Sequence, residues 1–290
     1  MYAIIQRNPK KTMLVKTPLD LEAAVKAGKL GCMMGVEGGH MMEDRLDYLD
    51  SLYKRGARYM TLTWNNSTDW ASSAADERAN NNLGHPYGLN AFGEKIVQHM
   101  NELGMIVDIS HVGEKTFYDA VRVSKKPVIA SHSCAYSLCP VPRNMTDDQI
   151  KALGKNGGVI HLNFNSGFVD SSFNPKNRAF IKKHQAEKDS LLKTNPSDFF
   201  ANMRINEKYK DEIDDARPTL SQLLDHLDHI VKLIGVDHVG LGSDFDGINS
   251  SPRELNDVSD MPLITKALMQ RGYNKTDIQK ILGGNFIRVF

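Results

Sequence analysis

Residues 105–111, Met105-Ile106-Val107-Asp108-Ile109-Ser110-His111, and residues 127–132, Pro127-Val128-Ile129-Ala130-Ser131-His132, decide the predicted fold. Each stretch is a short apolar run that ends in Ser-His, and a helix-forming stretch separates the two. Continuously apolar strands joined by helices are typical of parallel sheets covered on both faces. The carboxyl ends of such strands lie on one face, so we predict that His111 and His132 lie close together there.

Four more apolar runs predict that this strand–helix unit repeats along the chain. They cover residues 30–37, 57–64, 159–163 and 238–244. Stretches with apolar residues at helical spacing lie between the runs, and several of them stop at a glycine, which is a common helix end. The sequence therefore predicts an α/β fold with a parallel sheet, either a barrel or a doubly wound sheet.

The composition excludes several classes of partner. Of the 290 residues, 36 are Lys or Arg and 35 are Asp or Glu, so no net field attracts nucleic acid or an anionic membrane. No apolar stretch reaches the roughly 18 to 20 residues of a transmembrane segment. The N-terminal apolar run is too short for a secretory signal, and the three cysteines are expected as reduced thiols. A cytoplasmic location is therefore expected.

Residues 169–217 depart from the strand–helix rhythm. They are rich in Lys, Glu, Asp and Asn, and their apolar residues are sparse. We interpret the segment as an inserted, partly helical excursion within a single domain of residues 1–290. Two roles remain open for it, a lid over the strand ends and a solvated surface insertion.

Polar side chains at or just past the strand ends are the candidates for chemistry. These residues are Glu37, Trp64, Asn65, His111, His132, Asn163 and Asp244. A carboxylate and two imidazoles on three strands are the ligand types that zinc prefers, so a metal site is favoured over structural histidines. His226 and His229 also have metal-like spacing, but they are expected on the solvated face of a leucine-rich helix.

Arg143 follows the second Ser-His strand on a loop stiffened by two prolines. A guanidinium held there would suit two-point binding of a carboxylate. An ordinary exposed arginine is the alternative, and spacing alone leaves both interpretations open.

Several motifs, in order, resemble the membrane (renal) dipeptidase family, the M19 metallopeptidases, from about residue 25 to the C-terminus. They are Gly35-Val36-Glu37-Gly38-Gly39-His40, Tyr59-Met60-Thr61-Leu62-Thr63, Asp108-Ile109-Ser110-His111-Val112, Ser131-His132-Ser133-Cys134-Ala135-Tyr136-Ser137, Arg143-Asn144 and Gly242-Ser243-Asp244-Phe245-Asp246-Gly247. The resemblance implies a TIM-type (β/α)8 barrel that holds two zinc ions bridged by a carboxylate and a water.

The resemblance also implies a role for each matched residue. Glu37 resembles the bridging carboxylate, and His111 and His132 resemble the remaining ligands of one zinc. Arg143 resembles the arginine that holds the C-terminal carboxylate of the substrate. Asp244 resembles the strand-end aspartate near the scissile amide, so Asp244 and Glu37 are the expected catalytic residues.

The chain departs from the family pattern in two places. The His-x-Asp pair that supplies the other zinc is absent, and only about six of eight barrel strands are found, so no strand is expected before residue 30. We therefore expect an N-terminally incomplete sequence that holds at most one zinc tightly. Trp64 stands where well-known members have a histidine, and Trp64 and Asn65 are expected to contact the substrate through hydrogen bonds.

Three functions follow from these observations. The first is a zinc-dependent dipeptidase that uses a metal-activated water, with a small dipeptide as its substrate and a homodimer as a candidate assembly. The second is a truncated or degenerate, catalytically impaired member that binds metal or peptide without turnover. The third, a metal amidohydrolase acting on cyclic amides, gives no reason for Arg143.

Overall fold

The structure, a computed structural model, describes residues 1–290 and contains eight β-strands. The strands are β1 Thr12–Leu14, β2 Leu30–Cys32, β3 Met34–Glu37, β4 Ala57–Thr61, β5 Ile106–Asp108, β6 Ile129–Ser133, β7 Val159–Asn163 and β8 Val239–Ser243. The six predicted apolar runs all contain strands, and the predicted α/β class is confirmed.

Sixteen α-helices alternate with these strands or follow them. They are α1 Tyr2–Arg7, α2 Pro18–Lys26, α3 Leu46–Lys54, α4 Ala74–Ala79, α5 Ala91–Leu103, α6 Glu114–Val123, α7 Asp147–Asn156, α8 Ser166–Val169, α9 Phe173–Lys183, α10 Gln185–Thr194, α11 Asp198–Lys208, α12 Lys210–Ile213, α13 Leu220–Ile234, α14 Met261–Gln270, α15 Lys275–Gln279 and α16 Asn285–Val289. No helix combines the length and the apolar character that a membrane span requires.

The strands form two sheets. The larger sheet has six strands in chain order, β3-β4-β5-β6-β7-β8, and the smaller sheet pairs β1 with β2 in parallel. The prediction that no strand precedes residue 30 is wrong, because β1 lies beside β2 and α2 connects the two. The predicted run 30–37 is also divided, since Met33 separates β2 from β3. Three-residue strands such as β1 are too short for periodicity to reveal.

The chain divides into two compact units. The first comprises Met1–Ser131, Lys151–Val159 and Gly284–Phe290. Its helix α5 shows why the sequence folds locally as it does. Asn90 caps the helix by accepting hydrogen bonds from two backbone N–H groups, and Gly104 ends it with a φ of 75°. The face between these ends buries Ile96, Val97 and Met100 in the core of this unit.

The second unit comprises His132–Ile150 and Ile160–Gly283. Its long helix α13 begins with a capping box of Thr219 and Gln222 and buries a leucine-rich face. Residues 166–217 carry five helices, α8 to α12. These helices have a small core of their own, formed by Phe173, Phe180, Ile181, Ile205 and Ile213. The three cysteines of the chain are unpaired.

Candidate metal centre

The register of the sheet aligns four residues across neighbouring strands. Glu37 of β3 pairs with Thr61 of β4, Thr61 pairs with Asp108 of β5, and Asp108 pairs with Ile129 of β6. His111 and His132 therefore each stand three residues beyond this line, at equivalent positions on two neighbouring strands. The repeated Ser-His ending of the sequence reflects this shared register.

Two glycines fix the backbone directly after Glu37. Gly38 has a φ of 98°, a conformation that side chains rarely adopt. A Cβ on Gly39 would lie 2.4 Å from the Trp70 ring and 2.6 Å from the carbonyl oxygen of Leu62. The chain therefore turns sharply at the end of β3 and leaves the Glu37 side chain half exposed.

The structure brings Glu37, His111 and His132 together. Oε1 of Glu37 lies 3.1 Å from Nε2 of His111. One potential ligand atom from each of the three residues lies within 4.8 Å of the others. Both imidazoles are buried, with 7% and 8% of the residue exposed. This group is the one set of three or more potential metal ligands in the chain.

The donor set fits a zinc-type ion. Nitrogen and carboxylate oxygen are its usual ligands, and tetrahedral ligands at about 2.0 to 2.1 Å from an ion lie about 3.3 Å from one another. The 3.1 Å separation of the Glu37 and His111 atoms matches that spacing. Three protein ligands leave room for water or substrate, which is the arrangement of catalytic rather than structural sites.

Asn65 holds the ring of His111 from its other side. Oδ1 of Asn65 lies 3.1 Å from Nδ1 of His111 and accepts a hydrogen bond when that nitrogen carries the proton. This tautomer leaves the lone pair of Nε2 directed at Glu37 and available to a metal. Asn65 was predicted to contact substrate, and its contact with His111 is an additional role that its position in the sequence does not reveal.

Asp108 also belongs to the site region, although no role was predicted for it from the sequence. Its carboxylate is fully buried and accepts hydrogen bonds from Thr61 Oγ1 at 2.5 Å and from the amides of Ser110 and Ser131 at 3.0 and 2.9 Å. It also accepts the hydroxyl of Ser131 at 2.6 Å. These bonds tie β4, β5 and β6 together beneath the two histidines. The signal was a carboxylate inside an otherwise apolar strand.

Two further side chains, Trp64 and His40, follow the ends of β4 and β3. Trp64 also stands three residues beyond the register line, 46% of it is exposed, and its ring centroid lies 6.4 Å from that of His111. His40 is directed elsewhere, because its Nε2 lies 3.0 Å from both the carbonyl oxygen of Ser67 and Nδ2 of Asn66. Contact between substrate and Trp64 stays a prediction.

Asp244 lies at the end of β8 in a strained loop. Ser243, Asp244 and Asp246 all have positive φ angles, of 46°, 71° and 68°. Residues other than glycine adopt such angles infrequently, and residues that do adopt them cluster at functional sites. Nδ2 of the buried Asn163 donates to Oδ2 of Asp244 at 3.0 Å, which fixes the orientation of the carboxylate.

Arg143 lies on a loop that its neighbour holds in place. The side chain of Asn144 donates to the carbonyl oxygens of Cys139 and Phe168 at 2.9 and 2.8 Å and accepts from the amide of Cys134 at 3.2 Å. The guanidinium of Arg143 lies 5.4 Å from the centre of the Phe168 ring. The cation is therefore carried on a fixed loop, as a carboxylate-binding role requires.

His226 and His229 of α13 were both predicted to lie on a solvated face, and the structure places them differently. His226 is 1% exposed, so its placement on a solvated face is wrong. Its Nδ1 accepts the amide of Ala135 at 3.1 Å, and its Nε2 donates to the carbonyl oxygen of Val169 at 3.0 Å. Burial lowers the pKa of this imidazole. The neutral ring connects the loop after β6 with the end of α8. His229 is partly exposed and contacts Asp147 at 2.8 Å.

Comparison with known proteins gives a family match over the whole chain. Residues 1–290 match the family described as membrane dipeptidase (peptidase family M19). The chain is 36% identical to dipeptidase 3 of Mus musculus and 33% identical to dipeptidase 3 of Homo sapiens, each over 266 residues and 90% of this chain. The matches cover 44% and 45% of those proteins, so the chain spans less than half of their length.

Two solved structures are similar to this one. The probable dipeptidase PvdM of Pseudomonas aeruginosa has a TM-score of 0.79 and 26% identity, over 99% of this chain and 75% of that chain. A metallo peptidase of Rhodobacter sphaeroides, liganded with a phosphinate mimic of the dipeptide L-Ala-D-Ala, has a TM-score of 0.77 and 24% identity. That match covers 99% of this chain and 71% of the other, and it shows the shared fold.

Proposed function

The chain belongs to the membrane dipeptidase family, peptidase family M19, and from this premise we propose that it hydrolyses dipeptides with zinc as its metal. The observation that carries the proposal is the convergence of Glu37, His111 and His132 at the strand ends. In this proposal these three side chains hold the metal. When bound, zinc supplies Lewis acidity, which activates water near neutral pH and polarises a carbonyl group.

Asp244 moves the proton in this proposal. Its carboxylate is oriented by the hydrogen bond from Asn163 and is held on the loop after β8, where Ser243, Asp244 and Asp246 have positive φ angles. A positioned carboxylate can take a proton from the attacking water and deliver it to the leaving amine. The strain of the loop supports this role, because the fold maintains an unfavourable backbone there.

Arg143 binds the C-terminal carboxylate of the dipeptide in this proposal. Its planar guanidinium can make two parallel hydrogen bonds to a carboxylate, which a lysine ammonium cannot. The loop that carries it is fixed by the three hydrogen bonds of Asn144. A fixed cation at a set distance from the scissile bond would select dipeptides over longer peptides.

The test is zinc-dependent hydrolysis by the purified chain. After dialysis against zinc, we expect one zinc per chain by elemental analysis and hydrolysis of L-Ala-L-Ala or L-Ala-D-Ala. Chelation should abolish the hydrolysis, and added zinc should restore it. His111→Ala should lose both the zinc and the activity. His40→Ala should keep its zinc, because that histidine lies outside the ligand group. Hydrolysis that survives chelation, or a chain without zinc, contradicts the proposal.

A second candidate function is binding of metal or peptide without turnover. It is favoured by the single group of potential metal ligands, since the resemblance implies two zinc ions. One zinc per chain, dipeptide binding and no hydrolysis would establish this candidate in place of the first.

A further inference from the structure

A second concave site lies in the second unit, within residues 200–258. Helices α11 and α12 form one wall, and the loop that follows β8 forms the other. The cavity has a volume of about 770 Å³. Pockets of roughly 300 to 1,000 Å³ hold small molecules in proteins, so this cavity is large enough for an organic ligand.

The walls of the cavity are mainly apolar. The apolar residues that line it are Phe200, Met203, Ile213, Phe245, Ile248 and Val258. The charged residues at its edge include Arg204 and Glu207, which form an ion pair with each other at 3.0 Å. Three cationic and three anionic side chains line the site in total, so the lining favours neither sign of charge. An uncharged, apolar group suits this lining best.

Two polar atoms in the wall lack hydrogen-bond partners. Asn206 is 7% exposed, and its Nδ2 donates to the carbonyl oxygen of Asn249 at 3.2 Å. Its Oδ1 is buried and has no partner, and the same holds for Oδ1 of Asn249. Buried polar atoms are nearly always satisfied in folded proteins. Asn206 and Asn249 are therefore two exceptions in the wall of the cavity.

Hydrogen bonds of one buried arginine join the two walls of the cavity. Arg217 is buried at its edge, and its guanidinium donates to the carbonyl oxygens of Ser251 and Pro252 at 2.9 and 3.0 Å and to Oδ1 of Asn256 at 3.1 Å. These bonds hold the end of the helical segment against the loop after β8.

One wall of the cavity is the loop that carries Asp244. Phe245 and Asp246 follow Asp244 directly and line the cavity. Phe245 packs edge-to-face on Phe164, at 5.7 Å between ring centroids. A Cβ on Gly247 would lie 2.3 Å from Oδ1 of Asp244, so a larger residue at that turn would displace the carboxylate. The apolar wall is therefore held in a fixed position relative to the proposed proton-transfer residue.

From these observations we propose that the cavity receives an apolar side chain of the dipeptide and makes the enzyme prefer bulky apolar residues. This inference rests on the proposed dipeptidase function. The continuity of Asp244 with the cavity wall identifies the occupant as part of the substrate. The apolar residues of the lining and the equal numbers of cationic and anionic side chains favour an apolar side chain over an acidic or a basic one.

The first test is the kinetics of three dipeptides, Ala-Ala, Phe-Ala and Ala-Phe. The wild type should cleave one of the two Phe-containing dipeptides at least about tenfold more efficiently in kcat/KM than Ala-Ala, because a pocket discriminates apolar side chains by about 10- to 200-fold. Met203→Trp fills the cavity and should remove this preference through a raised KM for the preferred Phe-containing dipeptide. Phe199→Trp on the same helix is the matched control, since Phe199 is exposed and does not line the cavity.

A preference for Phe that Met203→Trp leaves intact overturns the inference, and so does equal cleavage of all three dipeptides by the wild type. Melting temperatures of the two variants identify a folding defect. If Met203→Trp does not fold, Phe200→Ala, which enlarges the cavity, is tested in its place for a changed preference.

A binding measurement separates this inference from the proposed function. Calorimetry with uncleavable reduced-amide analogues of the three dipeptides reports side-chain binding without turnover. Tighter binding of a Phe analogue by the wild type, lost in Met203→Trp, supports the cavity even if no dipeptide is cleaved. Equal binding of all three analogues overturns the cavity while leaving the dipeptidase activity to its own test.

Discussion

The strand ends that carry Glu37 and His111 differ in construction from the helical segment 166–217 and the loop after β8. At the strand ends, polar side chains are placed by the sheet register and are connected by hydrogen bonds, as in Asn65–His111 and Thr61–Asp108. In the helical segment and the loop after β8, apolar side chains line a cavity of about 770 Å³. The side-chain oxygens of Asn206 and Asn249 in its wall are buried without a hydrogen-bond partner.

This difference suggests a division of roles. Groups that hold metal or move protons must be fixed within fractions of an ångström, and strands provide that rigidity. A pocket for side chains needs only shape and an apolar surface, which helices and loops supply. We therefore expect changes at the strand ends to alter metal affinity or kcat, and changes around the helical segment to alter KM or stability.

Asp244→Asn tests the strand-end half of this division most severely. The amide cannot accept a proton, so kcat should fall by about 10² to 10⁴-fold, the usual contribution of general acid–base catalysis. Zinc content by elemental analysis should stay unchanged. A parallel loss of zinc and activity in Asp244→Asn would instead make Asp244 part of the metal site.

Arg143→Ala tests whether the fixed cation on its loop recognises the substrate. Charged hydrogen bonds contribute about 1.5 to 3 kcal/mol, so kcat/KM for dipeptides should fall by about one to two orders of magnitude. Dipeptide amides, which lack the carboxylate, should be poor substrates of the wild type and little worse for the variant. Equal cleavage of dipeptides and their amides by the wild type would remove the basis for this role.

Asn65→Ala tests whether the hydrogen bond to Nδ1 of His111 orients a metal ligand. Loss of such outer partners typically weakens metal binding by about 10 to 100-fold, and we expect that range for zinc in a chelator competition assay. Asn65→Asp keeps an acceptor and should retain most of the affinity. Asn66→Ala is the matched control, because Asn66 contacts His40 rather than His111. An unchanged zinc affinity in Asn65→Ala would confine Asn65 to substrate contact.

His226→Gln tests, through stability, the contact between α13 and the helical segment 166–217, since Nε2 of His226 donates to the carbonyl oxygen of Val169. Burial lowers the pKa of His226 below its ordinary value of 6.5, so below that pH the unfolded chain binds more protons than the folded chain. The free energy of unfolding should therefore fall as the pH drops below about 6.5 and be constant above it as far as His226 is concerned. Each pH unit in that window is worth at most about 1.4 kcal/mol.

Urea unfolding at pH 7.5 and pH 5.5 measures this effect. The difference between the two pH values should be smaller in His226→Gln than in the wild type, since glutamine does not titrate. Burial lowers the pKa of His99, but its hydrogen bonds to Asp50 and Glu102 outweigh burial and raise that pKa, and this opposite contribution is the same in both proteins. The same pH dependence in both proteins would mean that His226 does not set it.

The strand ends were predictable from sequence because their signals are local. Six apolar runs with polar residues at their ends identified Glu37, His111 and His132, and the structure brings these three together. The contacts of Asn65 and Asp108 were not predictable, since they join residues that are 46 and 47 positions apart. The burial of His226 was missed because helical periodicity locates a polar face but not the loops that pack on it.

The sequence by itself determined the repeated strand–helix pattern, the family resemblance and the identity of the residues at the strand ends, because periodicity and motif are properties of neighbouring residues. Only the tertiary structure decided that β1 lies beside β2, that the helices of residues 166–217 have their own core, and that a cavity adjoins the loop of Asp244. These features depend on contacts between residues distant in the chain, and such contacts leave no period in the sequence.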